Sequence, residues 1–160
     1  MTGAPAILRA TDWYHTGVVV SDLDEAMVDT AELGGYRWMI PMAVDTMVWM
    51  PGSGAGEIGL RFAYSLDAPH LELVQDVPDT PWSLVPGRAI HHLGYWVDDL
   101  RGASAALSAR GRPIEVCGGS DPENPEIFTY HLGADGIRIE LVDRTRMPDW
   151  PGFLAMFTPD

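Results

Sequence analysis

The chain has 160 residues, of which 46% are hydrophobic and 21% charged, a composition typical of a globular domain and not of a disordered chain. Its formal net charge is −13 and its ten basic residues are all arginines, so nucleic acid is not an expected partner. No apolar run reaches the roughly 18 to 20 residues of a membrane span, and the N-terminus lacks a signal-peptide pattern, so we expect a cytoplasmic protein without a membrane partner.

The first part of the chain predicts a strand, a helix and three further strands. Residues 13–20 are rich in β-branched and aromatic side chains, which favours a strand. Ser21 or Asp22 then offers a side-chain oxygen as a helix N-cap, and the helix is predicted to run through about Leu33 and to end at the two glycines that follow. The remaining strands are predicted at residues 36–48, 57–65 and 70–75, with a Pro- and Gly-rich turn at residues 51–54.

A linker separates this part from a second set of the same elements. Residues 77–88 contain three prolines, which suits a segment that does not pair into a sheet. The second set is predicted as a strand at 90–97, a helix at 99–110 and strands at 113–117, 127–132 and 137–143. The tail at 145–160 carries Trp150 and Phe153, and we expect it to pack across a sheet edge or against a partner subunit.

The two halves also share a sequence pattern. The segment HTGVVVSDLDEAM, which starts at His15, aligns without a gap with HLGYWVDDLRGAS, which starts at His92. The run LELV at residues 71–74 matches IELV at residues 139–142 in the same order. Two matches in one order indicate a duplicated βαβββ module. We therefore predict one domain over residues 1–160, with module one at about 12–76 and module two at about 89–144.

Each module contributes a histidine from its first strand and a glutamate from its last strand. Side chains alternate between the faces of a strand, so the apolar neighbours Leu71 and Leu73 predict that Glu72 points the other way, into the concave side of the sheet. A carboxylate buried there alone would be costly to keep ionised. Two imidazoles and two carboxylates become favourable together around one divalent cation, for which Zn, Ni, Co, Mn and Fe are all suitable. The predicted ligands are His15, Glu72, His92 and Glu140.

With these motifs, the chain resembles the vicinal oxygen chelate superfamily, which includes glyoxalase I, methylmalonyl-CoA epimerase, extradiol dioxygenases, fosfomycin-resistance transferases and bleomycin-resistance proteins. The resemblance covers about residues 14–143 and is closest in pattern to glyoxalase I and the epimerase. It implies an α+β fold in which two tandem βαβββ modules form an open, cup-shaped mixed β-sheet. It also implies the same four metal ligands and a homodimer. The cup could be completed within one chain or across two.

The resemblance further implies a metal-dependent isomerase, epimerase or lyase that abstracts a proton next to a chelated carbonyl. Glu140 is the expected catalytic base, with Glu72 as its partner on the opposite side. One alternative is an extradiol-type dioxygenase, although a fourth ligand at Glu72 would fill a coordination position that oxygen chemistry needs. Another is a non-catalytic drug- or metabolite-binding protein, which the many aromatic and methionine residues would suit.

Several side chains are candidates for contact with a small, rather hydrophobic substrate. Module one is crowded with large apolar side chains, and strand alternation places about half of them in the cup. His70 lies two residues before Glu72 on the same strand, so its side chain should point to the same face. His91 directly precedes His92 and should point to the opposite face. Of the neighbours Tyr130 and His131, only one can face inward. The predicted substrate contacts are Trp49, Phe62, His70 and Tyr130.

Overall fold

The computed structural model describes residues 6–160, which form eight strands and three α-helices. Module one contains β1 (Trp13–Val20), α1 (Leu23–Gly34), β2 (Met42–Met50), β3 (Gly54–Tyr64) and β4 (His70–Gln75). Module two contains β5 (His92–Val97), α2 (Leu100–Ala109), β6 (Ile114–Gly118), β7 (Phe128–Leu132) and β8 (Arg138–Asp143). The tail adds a short 3-10 helix at Arg144–Arg146 and α3 (Trp150–Met156). None of these helices is long and apolar enough to cross a membrane.

The helix boundaries follow from capping residues. Asp22 Oδ1 accepts a hydrogen bond of 2.9 Å from the backbone N–H of Glu25, and Asp99 Oδ1 does the same for Gly102. Gly35 ends α1 with φ of 69°, a conformation that glycine adopts without strain. The extended run predicted at residues 36–48 forms a ladder only from Met42, directly after Pro41, which has no N–H to donate.

The eight strands form one mixed sheet in the order β1-β4-β3-β2-β6-β7-β8-β5, which closes into a barrel. The modules meet where β1 pairs antiparallel with β5. At the other seam β2 and β6 share only two residue pairs, Val48 with Gly118 and Trp49 with Cys117. The α+β fold built from two βαβββ modules is confirmed. Its cup is completed within one chain.

The helices cover the outer face of the sheet, and this fixes which strand residues point inward. Leu71 and Leu73 belong to the apolar cluster that contains Leu23 of α1. Ile139 and Leu141 belong to the equivalent cluster with Leu100 and Leu107 of α2. Because side chains alternate along β4 and β8, the glutamates between these apolar pairs face the barrel interior.

The linker at residues 77–88 forms no strand, but it supplies one large side chain, that of Trp82, to the barrel core. Trp82 is only 1% exposed and packs with Val48, Val116 and Tyr130 inside the barrel. Its indole N–H donates a hydrogen bond of 3.2 Å to the hydroxyl of Tyr130. The prolines and turns of the linker therefore let it fold over one end of the barrel and fill it.

Candidate metal centre

Four buried side chains converge inside the barrel, and they are the four predicted ligands, His15, Glu72, His92 and Glu140. The Nε2 atoms of His15 and His92 are 2.8 Å apart. Glu140 Oε2 lies 2.9 Å from His15 Nε2 and 3.2 Å from His92 Nε2. Glu72 Oε2 lies 3.4 Å and 3.0 Å from the same two atoms, and all four ligand atoms are within 4.8 Å of one another.

Reciprocal pairing of β1 and β5 produces this convergence. His15 lies opposite Gly94, and Gly17 lies opposite His92. Each imidazole ring occupies the space in which a Cβ on the opposite glycine would stand. In the parallel pairings Gly17 is also level with Glu72, and Gly94 with Glu140. Each histidine therefore crosses a glycine to reach the glutamate of the other module, which explains the repeated His-x-Gly spacing.

The carboxylate oxygens fit a metal ion better than they fit their protein neighbours. Within the described part of the chain, Oε2 of Glu72 and Oε2 of Glu140 are buried and make no hydrogen bond of acceptable geometry. Buried acceptors are rarely left in that condition. Ligand atoms about 2.1 Å from one ion lie about 3.0 Å apart as octahedral neighbours and about 3.4 Å apart in a tetrahedron. The separations between the histidine and glutamate atoms match these values.

Charge within the cluster keeps the glutamates ionised. Burial opposes ionisation of Glu72, but His15 and His92 overcome it and hold the pKa of this carboxyl well below its usual range. Burial likewise disfavours the imidazolium form of His92, yet the carboxylates of Glu140 and Glu72 raise the pKa of His92 to about 9. A divalent cation would replace the protons that these histidines hold, because metal ligands must be deprotonated.

His91 holds the ring of His92 from behind. His91 Nε2 lies 2.6 Å from the carbonyl oxygen of Pro81, which only accepts, so Nε2 carries a proton and donates it. Burial and the neighbouring charges of His92 and Arg138 lower the pKa of His91 to about 3, which leaves its Nδ1 as an acceptor. This Nδ1 lies 2.9 Å from His92 Nδ1. His92 therefore donates from Nδ1 and presents Nε2 to the cluster.

Substitution of His91 should weaken metal binding without removing a ligand. We expect His91→Ala to lower metal affinity by about 10- to 100-fold, because the partner that orients His92 is lost. His91→Asn should retain most of the affinity, since its Oδ1 can accept the same hydrogen bond. Competition against a chromogenic chelator measures both variants. Equal affinity in His91→Ala and the unmodified chain would show that His91 only fills space.

Substitution of Gly17 or Gly94 tests the reciprocal packing of the rings. Gly17→Ala should displace the imidazole of His92, and Gly94→Ala that of His15, because the added methyl group would overlap each ring. We expect metal affinity to fall by at least about 100-fold, which is the upper end of the losses seen when a residue that orients a metal ligand is substituted. Gly56→Ala is the matched control, since Gly56 is an exposed residue of β3 where a methyl group meets open space. Unchanged chelator titrations for both interior variants would contradict the geometry.

A cavity of about 300 Å³ opens onto the two glutamates. Its wall comes mainly from the inner faces of the strands, with Trp82 from the linker and Trp150 and Phe153 from α3. Most of this wall is aromatic or aliphatic, and Glu72 and Glu140 are the charged groups in its lining. The tail, whose role the sequence left open, thus forms part of the wall of this cavity.

The predicted substrate contacts divide into two groups. Phe62 and Tyr130 line the cavity, and the ring of Tyr130 lies 5.1 Å from that of His92. Trp49 lies on the opposite face of β2 from the buried Val48, outside the cavity lining. His70 borders a neighbouring groove beside His15, with its ring against Trp150. His131 faces α2, where Nε2 lies 3.0 Å from Ser104 Oγ.

Tyr14 is a cavity residue that strand alternation did not identify. The β1–β5 register shifts between Trp13 and His15, so Tyr14 occupies an irregular position in the ladder. Its ring lines the cavity. It stacks on the ring of Trp96 at a centroid distance of 3.7 Å and an interplanar angle of 11°. A one-residue irregularity of this kind leaves no mark on the sequence pattern.

Comparison with known proteins agrees with this architecture. The family model of the Glyoxalase/Bleomycin resistance protein/Dioxygenase superfamily matches residues 14–130, which is most of the chain. The chain belongs to this superfamily. The resemblance to vicinal oxygen chelate proteins is thereby confirmed. A search among curated proteins found no significant match.

Solved structures with the same fold include methylmalonyl-CoA epimerases. One, in complex with methylmalonyl-CoA and NH4+, shares 18% identity at a TM-score of 0.58, over 82% of this chain and 93% of its own. The epimerase from Mycobacterium tuberculosis shares 20% identity at a TM-score of 0.55, over 88% and 92%. A hypothetical protein from Bacillus halodurans shares 14% at 0.54, over 82% and 92%. At such identities the likeness establishes the fold alone.

Proposed function

We propose that the protein is a metal-dependent isomerase, epimerase or lyase of the glyoxalase type, which removes a proton next to a carbonyl group of a small hydrophobic substrate. The observation that carries this proposal is the convergence of two imidazoles and two carboxylates, with both carboxylates at the wall of an apolar cavity. His15, Glu72, His92 and Glu140 would hold one divalent ion, of Zn, Ni, Co, Mn or Fe.

The chain's own residues would divide the work around the substrate. When bound, the ion supplies a Lewis acid that stabilises negative charge on a substrate carbonyl oxygen. Glu140 would accept the proton from the adjacent carbon, and Glu72, from the other module, would face the opposite side of the substrate. The apolar walls would exclude water and so strengthen these electrostatic interactions. Methylmalonyl-CoA epimerases share this fold, and epimerisation belongs to the class of reactions proposed here.

A non-catalytic binding protein is the second candidate. The aromatic cavity favours it, because such a wall could sequester an apolar compound without chemistry. The converging ligand atoms favour the enzyme, since a simple binding cavity has no use for two buried carboxylates that meet two imidazoles. A dioxygenase is less well supported, because four protein ligands leave fewer positions for both a catechol and dioxygen.

Solvent exchange distinguishes the enzyme from the binding protein. The protein is loaded separately with Zn, Ni, Co, Mn and Fe and incubated in D2O with a panel of α-hydroxy ketones, 2-oxo aldehydes and acyl thioesters. We expect deuterium to enter the carbon next to the carbonyl of at least one compound, and only with metal present, as followed by NMR. Binding of these compounds without exchange under any metal would favour the non-catalytic candidate. We also expect a homodimer in solution, which light scattering measures directly.

A further inference from the structure

We infer that the cavity takes an uncharged carbonyl compound that carries one or two rings, and not a carboxylated acyl thioester such as methylmalonyl-CoA. This inference rests on the proposed function and names the substrate class for the same site. It follows from the charge, the wall chemistry and the size of the cavity.

The charges of the cavity disfavour an anionic substrate. Among the described residues, its lining includes no arginine, lysine or histidine, whereas Glu72 and Glu140 both face it. Two carboxylates and one divalent ion sum to zero formal charge, so the loaded centre would have no surplus positive charge to balance a substrate carboxylate. A buried anion without a cationic partner is strongly disfavoured.

One arginine lies near the centre in sequence, but it is already engaged. Arg138, two residues before Glu140, is 8% exposed. Its guanidinium donates to both carboxylate oxygens of Glu115 at 2.6 and 2.7 Å and to the backbone carbonyl of His91 at 3.1 Å. These bonds hold it in a separate small pocket with His91 and Pro81, where it cannot pair with a substrate carboxylate in the main cavity.

The walls favour flat, apolar groups. Nine of the nineteen residues that line the cavity are aromatic, which makes ring surface its main contact. Tyr14 and Trp96 form one stacked pair, and Trp150 and Phe153 form another with an interplanar angle of 16°. A volume of about 300 Å³ is at the lower end of ligand pockets, which suits one or two rings with a short oxygenated chain.

The opening of the cavity is apolar as well. Ile127 is 51% exposed and lines the cavity, so it lies where the cavity meets solvent, and Met147 lines it too. Ile127 has φ of 61°, a backbone conformation that a β-branched residue adopts only when its surroundings impose it. Backbone hydrogen bonds hold it there, including one of 2.8 Å from the N–H of Asp143 to its carbonyl oxygen. The chain thus holds an apolar side chain, and not a cationic one, at this position.

Four probes separate ring preference from charge preference. α-Hydroxyacetophenone is uncharged and has a ring and two neighbouring oxygens; mandelate has the same ring but a carboxylate; hydroxyacetone is uncharged without a ring; methylmalonyl-CoA is the carboxylated thioester. Calorimetry with zinc-loaded and metal-free protein measures each affinity. We expect α-hydroxyacetophenone to bind at least tenfold more tightly than the other three, and to keep its advantage over hydroxyacetone without metal.

Two variants locate the binding. Phe153→Ala should lower the affinity for α-hydroxyacetophenone at least threefold, whereas Trp49→Ala, an aromatic residue outside the cavity, should leave it unchanged. Tighter binding of mandelate or methylmalonyl-CoA, equal binding of hydroxyacetone, or no binding of any probe would overturn the inference. The ring preference is read without metal or turnover. A metal-free protein that keeps it but never binds metal would therefore refute the proposed function alone.

Discussion

Replacing Glu140 by glutamine is expected to lower the rate of deuterium exchange into the best carbonyl substrate by about 100- to 10,000-fold, the usual contribution of a general base. The carboxylate lines the cavity, and with an ion in place of the protons that His15 and His92 hold it would be available to take a proton from the substrate. Glutamine keeps the size and a ligand oxygen but is not basic. The exchange rate is measured by NMR with the metal content of each sample verified first, so that loss of metal is not mistaken for loss of the base.

Two further variants sharpen this result. Glu57→Gln is the matched control, because Glu57 is an exposed glutamate on β3 outside the cavity lining, and the exchange rate of this variant should equal that of the unmodified chain. Glu72→Gln should retain exchange at one stereoisomer of a chiral substrate but lose interconversion of the two, since its carboxylate serves the opposite side. Normal exchange in metal-loaded Glu140→Gln would remove Glu140 as the base.

Replacing Trp82 by alanine is expected to cost about 3 to 5 kcal/mol of unfolding free energy, as large core truncations do. The indole is 1% exposed and fills the barrel from the linker, so its loss leaves a cavity lined by side chains of both modules. For a domain of this kind, with a total stability of about 5 to 15 kcal/mol, this is a large fraction. Chemical denaturation in urea measures the difference.

Two comparisons isolate the cause. Trp82→Phe should recover much of the stability, because a ring again fills the barrel although the hydrogen bond to Tyr130 is lost. Leu33→Ala, at a position 88% exposed, should change the unfolding free energy by no more than about 0.5 kcal/mol. If Trp82→Ala were as stable as Leu33→Ala, the linker would be a peripheral connection and not part of the core.

The fold and the convergence of the four candidate ligands were predictable because they depend on local patterns that occur twice. The His-x-Gly spacing in both modules identified His15 and His92, and apolar neighbours on either side placed Glu72 and Glu140 on the inner face. Alternation along a strand is a strict period of two, so a correct strand assignment decides the face of every residue in it. The starts of α1 and α2 were equally local, since a capping aspartate side chain defines each.

Contacts that arise from tertiary folding left no such pattern. His91 precedes β5, so alternation does not govern it, and its partner Pro81 is brought to it by the irregular path of the linker. Tyr14 turns inward because of an irregularity in the β1–β5 ladder. Trp82 lies in a segment without periodicity, and only the closed barrel gives it a place to pack.

The cavity wall was only partly predictable, because β2 carries large apolar residues on both faces. Met42 and Val44 line the cavity, while Met47 is exposed and Trp49 faces away from it. When both faces of a strand are apolar, the alternation of side chains does not tell which face points inward. By contrast, the strand registers pair Tyr130 with Glu140 and Phe62 with Val74, which is two residues from Glu72 and on the same face of β4.

The metal content of the purified protein tests the account most directly. Elemental analysis of the unmodified chain, the exposed-site control Glu57→Gln and the ligand variant His92→Ala should be carried out after reconstitution with each divalent metal. We expect about one ion per chain in the first two proteins, because four protein ligand atoms converge on one point, and little or none in His92→Ala. Absence of bound metal from the unmodified chain under every reconstitution, or equal metal in His92→Ala, would contradict the shared metal centre.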